Sequence, residues 1–392
     1  MLLGRTVTLN PPIFESEDVI MQRFGSRELV ENVIRQNLCI GCGACNNLCP
    51  YFKSYNGKTT MLFPCTLPEG RCFAYCPKTE VDLDELSAAL FHKPYGDDPL
   101  GYYRSIMMSR AGARAGHGLF QAGGTVSALM QFALEKRHID GAILTDRKGI
   151  EPTPILATES KDILKCASSK YTAAPTLAAL NRAIKEGFGN LGIVSTPCQT
   201  LAVAQMRLNP LQENTFRDPT GLVIGIFCTW ALDFQAFKVF LSQRIDLAEI
   251  RKIDIPPPPA EVMEVFTDCA TIEYPLSEIR QLVPEACSYC IDMTAEFSDI
   301  SVGVMEGRTD MNTLITRTDR GQRIVDEAVS AGYLVLTDLP DENLEHLKWA
   351  ADNKKKRAFA KAEEKAIVNT PAGTGPSYLR INHATLKKIR GE

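Results

Sequence analysis

The sequence predicts an α/β protein, a mostly parallel sheet with flanking helices, joined to a small α+β module near the amino end. Three observations predict it. The chain has 392 residues, more than the roughly 100–200 that one domain usually takes. From about residue 103, short apolar runs alternate with helical ones, the signature of βαβ units. Between Cys39 and Cys76, by contrast, seven of the 13 cysteines crowd into a stretch rich in Gly, Pro and Asn with no sustained period. That stretch reads as a small unit folded around metal.

Taken in order, residues 80–100 read as a short helix and a Pro/Gly linker, with a boundary near residue 95, so the first unit is assigned to 1–95. Strands are predicted at 140–145, 191–196, 222–228, 262–267 and 300–305, and helices at 125–137, 175–186 and 232–244. These assign the α/β unit to 103–340. The last part, 341–392, begins as a charged helix, carries KKKR at 354–357 and passes through the turn-rich NTPAGTGPSY. It is read as a charged tail whose basic run is a solvated face or a docking arm.

Composition narrows the function. A net charge of −4, from 43 basic and 47 acidic residues, gives no footprint for phosphate-backbone binding, so nucleic acid is not expected as a partner. The opening MLLGRTVTLNPPIFESED lacks a cationic stretch followed by an apolar core, and no apolar run approaches the ~20 residues of a transmembrane helix. A cytoplasmic location is expected. Thiols stay reduced there, so clustered cysteines read as metal or redox sites rather than disulfides.

Cys39, Cys42, Cys45 and Cys49, with Pro50, form the C-x2-C-x2-C-x3-C-P run of bacterial-type ferredoxins. In two-cluster ferredoxins the fourth cysteine leaves to serve the other cluster, and a second run returns the exchange. Crossed ligation therefore assigns one 4Fe-4S cluster to Cys39, Cys42, Cys45 and Cys76. A second would have Cys49, Cys65 and Cys72 but no fourth cysteine, leaving open a non-cysteine ligand, a three-iron cluster or none. A zinc knuckle shares the C-x2-C spacing. Four cysteines in one run, with proline after both Cys49 and Cys76, favour iron–sulfur.

Four more cysteines fall where an α/β sheet places chemistry. Cys198 follows one predicted strand and Cys228 ends another, and Cys287 and Cys290 form a C-x2-C pair just before a third. The carboxyl ends of parallel strands line one crevice, where distant residues converge. Four thiolates there make the ligand set of a further 4Fe-4S cluster, although Cys198 and Cys228 also suit a core. Cys166 and Cys269 lie outside any motif and are read as core. A glycine-rich stretch from Gly116 through Gly123 and Gly124 to Thr125 leads into a helix whose start suits a phosphate, and Ser168, Ser169, Lys170 and Tyr171 suit a phosphate or flavin edge.

Five motifs, GGTVSALMQFALEKRHIDGAILTD, SSKYTAAPTL, STPCQ, IGIFC and CSYCIDMTAEFSDISVG, occur in order over about residues 105–310. In them the chain resembles the coenzyme F420 hydrogenase/dehydrogenase beta-subunit family. The resemblance implies an α/β domain holding FAD and a 4Fe-4S cluster on Cys198, Cys228, Cys287 and Cys290. It implies that Gly123, Gly124 and Thr125, Ser168, Lys170 and Tyr171, and the turn of Thr196, Pro197 and Gln199 line the flavin. It places Asp292 and Asp299 near the ligands, as orienting or contacting groups. The amino-terminal module and the carboxyl tail depart from the plainest members.

The expected function is an electron-transfer oxidoreductase subunit that exchanges a hydride between coenzyme F420 and FAD. Electrons would then pass through two or three 4Fe-4S clusters to a partner, the catalytic subunit of a formate dehydrogenase, hydrogenase or heterodisulfide reductase type complex. The alternative is a flavin and iron–sulfur reductase or adaptor of the same family that does not use F420. No side-chain acid or base is nominated, because hydride transfer between stacked rings needs orientation more than proton transfer.

Overall fold

The computed structural model describes residues 23–96, 98–257, 259–369 and 378–392. The opening segment read for export signals, and most of the turn-rich stretch after residue 369, lie outside them. The cysteine-rich part starts with α1 (Ser26–Leu29), which runs into a π turn at Val30–Ile34. After the first cysteine loop the chain makes a hairpin, β1 (Phe52–Tyr55) with β2 (Lys58–Met61), and then a single turn α2 (Arg71–Ala74). It continues into α3 (Leu83–Phe91), which Asp82 caps by accepting from the Glu85 amide.

The larger part alternates as expected. It runs through β3 (Ser105–Ala111), α4 (Thr125–Glu135), β4 (Gly141–Lys148), β5 (Glu151–Ala157), α5 (Ser160–Lys165), α6 (Thr176–Lys185) and β6 (Leu191–Ser195). There follow α7 (Pro197–Arg207), β7 (Thr220–Ile226), α8 (Phe234–Ser242), β8 (Lys252–Asp254), β9 (Val262–Phe266) and β10 (Thr271–Pro275). Beyond these lie the short α9 (Leu276–Ile279) and α10 (Glu285–Ser288), then β11 (Ile300–Met305), β12 (Arg308–Thr316), α11 (Asp319–Ser330) and β13 (Leu334–Thr337).

The main sheet has eight strands in the order β13-β3-β12-β11-β7-β6-β4-β5. Only its centre is parallel: β11 with β7, β7 with β6, and β6 with β4. Antiparallel pairs flank it on both sides, so the mostly parallel sheet expected from the alternation is a mixed one. The physical reason is two tight hairpins. Gly149, at φ +61°, and Gly307, at φ +75°, supply the positive φ that lets β4 turn into β5 and β11 into β12 within two residues. Antiparallel strands need no helical crossover. The strand predicted at 262–267 forms, but it pairs with β8 and β10 in a separate three-stranded sheet backed by Leu232, Phe237 and Leu241.

The carboxyl end is not a solvated tail. It contains α12 (Asp341–Glu364) and α13 (His383–Arg390). Phe359 and Ala362 of α12 and Leu386 of α13 share one apolar cluster with Leu29, Phe73, Leu83 and Leu86 of the cysteine-rich part. The basic run divides accordingly. Lys356 and Arg357 are exposed, whereas Lys354 and Lys355 are buried, and Lys355 pairs with the buried Glu296 at 2.8 Å. None of the helices among the described residues is long and apolar enough to cross a membrane.

Candidate functional site

The first cysteine loop closes on itself, with the Asn46 amide donating to Gly43 O at 3.0 Å. It is pressed onto the larger part. Leu177 N donates to Cys42 O at 3.1 Å, and Asn181 Nδ2 donates to Ala44 O at 2.9 Å and Asn46 O at 2.7 Å. Gly43 has φ +84°, and a Cβ there would stand 2.6 Å from Pro175 O, so any side chain would push the loop off α6. α2 ends just before Cys76 and delivers it to the same place, where Thr79 Oγ1 donates to Cys76 O at 2.8 Å.

Cys39, Cys42, Cys45 and Cys76 all line one small pocket, with Leu29, Val33, Ile40 and Thr59. Burial, then the charge of neighbouring thiols, pushes Cys42 and Cys76 well up; burial pushes Cys45 up to about 12, against a hydrogen bond from Thr59. Four sulfurs in a dry space favour the neutral thiol unless a cationic group takes them as thiolates, which is what an iron–sulfur cluster does. The residues present therefore fit such a group. Cys49 and Cys65 lie within electrostatic reach of Cys72, which burial first and then those two thiols raise to about 11.

The second four-cysteine set converges from three parts of the sheet's carboxyl edge. Cys198 lies in the first turn of α7, where Thr196 and Gln199 form a capping box and Thr196 Oγ1 lies 3.2 Å from Cys198 Sγ. Cys228 follows β7 and its amide donates to Met293 O at 2.9 Å. Cys287 ends near Ala231 O, at 3.9 Å, and Cys290 N donates to Cys287 O at 3.2 Å. Burial followed by the charge of Cys290 drives Cys198 up to about 12. Burial is also the first cause for Cys228 and Cys287, and Cys228 carries Cys198, Cys287 and Cys290 among its neighbours. Cys42 belongs to the apolar cluster against which Cys198 packs, so the two four-thiol groups are adjacent. Among the described residues no three His, Cys, Asp or Glu side chains converge as tightly as a single ion demands. A cubane instead spreads its thiolates over separate corners.

The aspartates of the last motif orient backbone. Asp292 accepts from the amides of Thr294 and Glu296, both at 2.9 Å. Asp299 accepts from Val223 N at 2.9 Å and pairs with Arg320. Two buried lysines that sequence reasoning missed face the second set. Lys354 Nζ donates to Cys228 O at 2.6 Å and Asp292 O at 2.7 Å. Lys78 Nζ donates to Tyr378 Oη at 2.9 Å and Ala286 O at 3.1 Å. Burial opposes both charges, yet their surroundings raise both: Tyr378 and then Cys290 act on Lys78, Cys290 and then Cys228 on Lys354. Of the two cysteines read as core, Cys166 is half-buried and Cys269 is exposed in the turn between β9 and β10.

The three segments that the resemblance assigns to a flavin lie along the same carboxyl edge and are braced by two glutamines. Gln121, in the loop before α4, bonds Asp254 and accepts from Ser169 N at 3.1 Å. Gln199 donates to Ala174 O at 2.8 Å and Thr176 Oγ1 at 3.1 Å. The Tyr171 hydroxyl accepts from Ile255 N at 2.9 Å, and Leu232 N donates to Tyr171 O at 2.8 Å, which sets this strand of loop beside the Cys228 turn. Lys170 donates to Ala167 O and Ser168 O, and burial lowers its ammonium to about 8. Gly123 and Gly124 serve close packing: a Cβ on Gly123 would stand 2.9 Å from Asn312 Oδ1, and Gly124, at φ +77°, begins α4. Thr125 N donates to that same Asn312 Oδ1 at 3.3 Å. Pro197 opens α7 at a position that needs no amide donor.

Comparison with known proteins identifies relatives of this arrangement. Two models of one family match, "Coenzyme F420 hydrogenase/dehydrogenase, beta subunit N-term" over residues 109–181 and the corresponding "C terminus" over 188–342. The chain is 30% identical to the coenzyme F420 hydrogenase subunit beta of Methanothermobacter thermautotrophicus over 238 residues, 59% of this chain and 84% of that one. It is 29% identical over 366 residues to an uncharacterized protein of Methanocaldococcus jannaschii, 84% of this chain and 97% of that one. A chain in the F420-reducing hydrogenase complex from Methanosarcina barkeri shares the fold, with TM-score 0.62 and 24% identity over 68% of this chain and 93% of that one.

Proposed function

Because the chain belongs to the coenzyme F420 hydrogenase/dehydrogenase beta-subunit family, we propose that it exchanges a hydride between coenzyme F420 and FAD and relays the electrons through 4Fe-4S clusters to a partner subunit. FAD, when bound, links the two-electron chemistry of a deazaflavin to clusters that carry one electron at a time. The residues for it would be Gly123, Gly124, Thr125, Ser168, Lys170, Tyr171, Thr196, Pro197 and Gln199. The cluster ligands would be Cys198, Cys228, Cys287 and Cys290, then Cys39, Cys42, Cys45 and Cys76, with Cys49, Cys65 and Cys72 at a second, three-thiol site. The division into units at 1–95, 103–340 and 341–392 is part of the same proposal, amended by the packing of α12 and α13 onto the first unit.

The observation that carries this reading is an order in space. The loop at Ser168–Tyr171 lies beside the Cys228 turn through Leu232, the four thiols come next, and Cys198 of that set packs against the apolar cluster that holds Cys42 of the other. A flavin held at that edge would therefore stand in line with the inner and then the outer thiols, a line leading from the sheet's carboxyl edge into the cysteine-rich part. Tyr171, Gln121 and Gln199 hold the edge rigid, so that orientation is set before any ligand arrives.

The partner at the far end is proposed as the catalytic subunit of a formate dehydrogenase, hydrogenase or heterodisulfide reductase type complex. The test is reduced F420 mixed with anaerobically purified protein and a viologen dye. Dye reduction is expected. Flavin-loaded protein that leaves the dye oxidised, yet accepts electrons from a reduced partner, would replace hydride exchange by an adaptor role without F420.

A further inference from the structure

Two ammonium groups are buried against the inner thiols with no carboxylate in direct contact, the charge of Asp292 acting on Lys354 only from beyond ion-pair distance. Lys78 is 3% exposed and Lys354 is 5% exposed. Among the described residues neither forms an ion pair with Asp or Glu; their contacts are carbonyl oxygens and the Tyr378 hydroxyl. A buried charge so placed is costly unless something compensates it. By contrast Lys355, the next residue on α12, has Glu296. The two lysines reach the thiols from opposite ends of the chain. Lys354 comes from the middle of α12 and bonds the backbone of Cys228 and of Asp292, beside Cys290. Lys78, two residues after Cys76, bonds Ala286 O, beside Cys287.

We infer that Lys78 and Lys354 are the built-in counter-cations of a cluster on Cys198, Cys228, Cys287 and Cys290, and that they raise its reduction potential. The inference rests on the cluster reading given above. Reduction adds one electron, hence one negative charge, to a cluster already anionic through its four thiolates; no bond is made or broken and no proton is required. A fixed positive charge bonded to the ligands' own backbone stabilises the reduced form more than the oxidised one. Burial keeps that interaction from being screened. Net charge and hydrogen bonding are the protein's means of setting such potentials. Lys78 also stands next to Cys76, so it joins the inner and outer groups, and α12 exists in this chain to deliver Lys354 as well as to cover the cysteine-rich part.

The test is a redox titration of the anaerobic holoprotein followed by electron paramagnetic resonance, on the signal that disappears in Cys290→Ser. Lys354→Met and Lys78→Met should each move that midpoint to more negative potential, and the double variant further. Lys354→Arg should return it toward the parent value, and Lys356→Met, on the exposed face of the same helix, should leave it in place. Midpoints unchanged in both Met variants at full iron content would overturn the inference. Iron lost from this site in Lys354→Met but kept in Lys354→Arg supports it, and iron lost in both makes the lysine a packing residue and overturns it. Cys290→Ser protein with undiminished iron would remove the cluster reading itself.

Discussion

Cys290→Ser is expected to lower the iron content by about four atoms per chain, the content of one 4Fe-4S cluster, and to abolish dye reduction by reduced F420. The reason is position. Cys290 is within electrostatic reach of Cys198 and Cys228, and its amide bonds Cys287 O, so it stands among thiols that follow β6, follow β7 and lie on α10. A serine hydroxyl is a poor substitute for a thiolate, which is the actual iron ligand. Flavin content should persist, because the Ser168–Tyr171 loop is held by Gln121, Asp254 and Leu232 rather than by Cys290. Iron and flavin assayed on the same sample check this. Loss of flavin with iron retained would contradict it.

Arg317→Met should destabilise the chain by about 3–5 kcal/mol, the scale for stripping one partner from a buried charged network. The Arg317 guanidinium is fully buried. It donates to Leu100 O at 2.8 Å and Tyr102 O at 2.7 Å in the linker, to Ser301 Oγ at 2.8 Å on β11, and to Thr294 Oγ1 at 2.9 Å in the last motif. One side chain thereby pins the linker, the sheet and the cysteine-bearing loop. Methionine fills the volume but leaves those carbonyls unpaired, and Glu296 and Asp292, which bear on Arg317, lose one of the cations around them, Lys355 remaining with Glu296. Denaturation of Arg317→Met beside Arg308→Met, whose pair with Asp310 is exposed, measures the effect. Equal loss in the two variants would show that the clamp is unimportant.

The strands at 140–145, 191–196, 222–228 and 300–305 are legible because each carries a short apolar run whose residues are mostly buried on both faces. Those the sequence concealed lie toward the two sides of the sheet. β5 reads Glu-Pro-Thr-Pro-Ile-Leu-Ala, and its two prolines argue against a strand unless it lies at an edge, as it does. β12 begins with Arg308, Thr309 and Asp310, too polar for an apolar pattern to register. Cysteine spacing suggests the first four-thiol group because Cys39, Cys42 and Cys45 sit on one loop and Cys76 repeats the Cys-Pro ending of that run. The convergence of Cys198, Cys228, Cys287 and Cys290 depends on topology, and spacing alone could only suggest it. Charge runs misled at KKKR. A lysine looks the same in sequence whether water or a ring of thiols surrounds it, and only packing distinguishes Lys354 from Lys356. Asn312, Gln121 and Asp254, which brace the segments assigned to a flavin, carry no signal, since the partners they brace lie far away in the chain.

Iron, sulfide and flavin counted per chain in protein purified without oxygen test the central claim most directly. The account predicts about eight to twelve irons with matching sulfide, the content of two or three four-iron clusters, together with bound FAD. About four irons or fewer, or protein that binds no flavin, would contradict it.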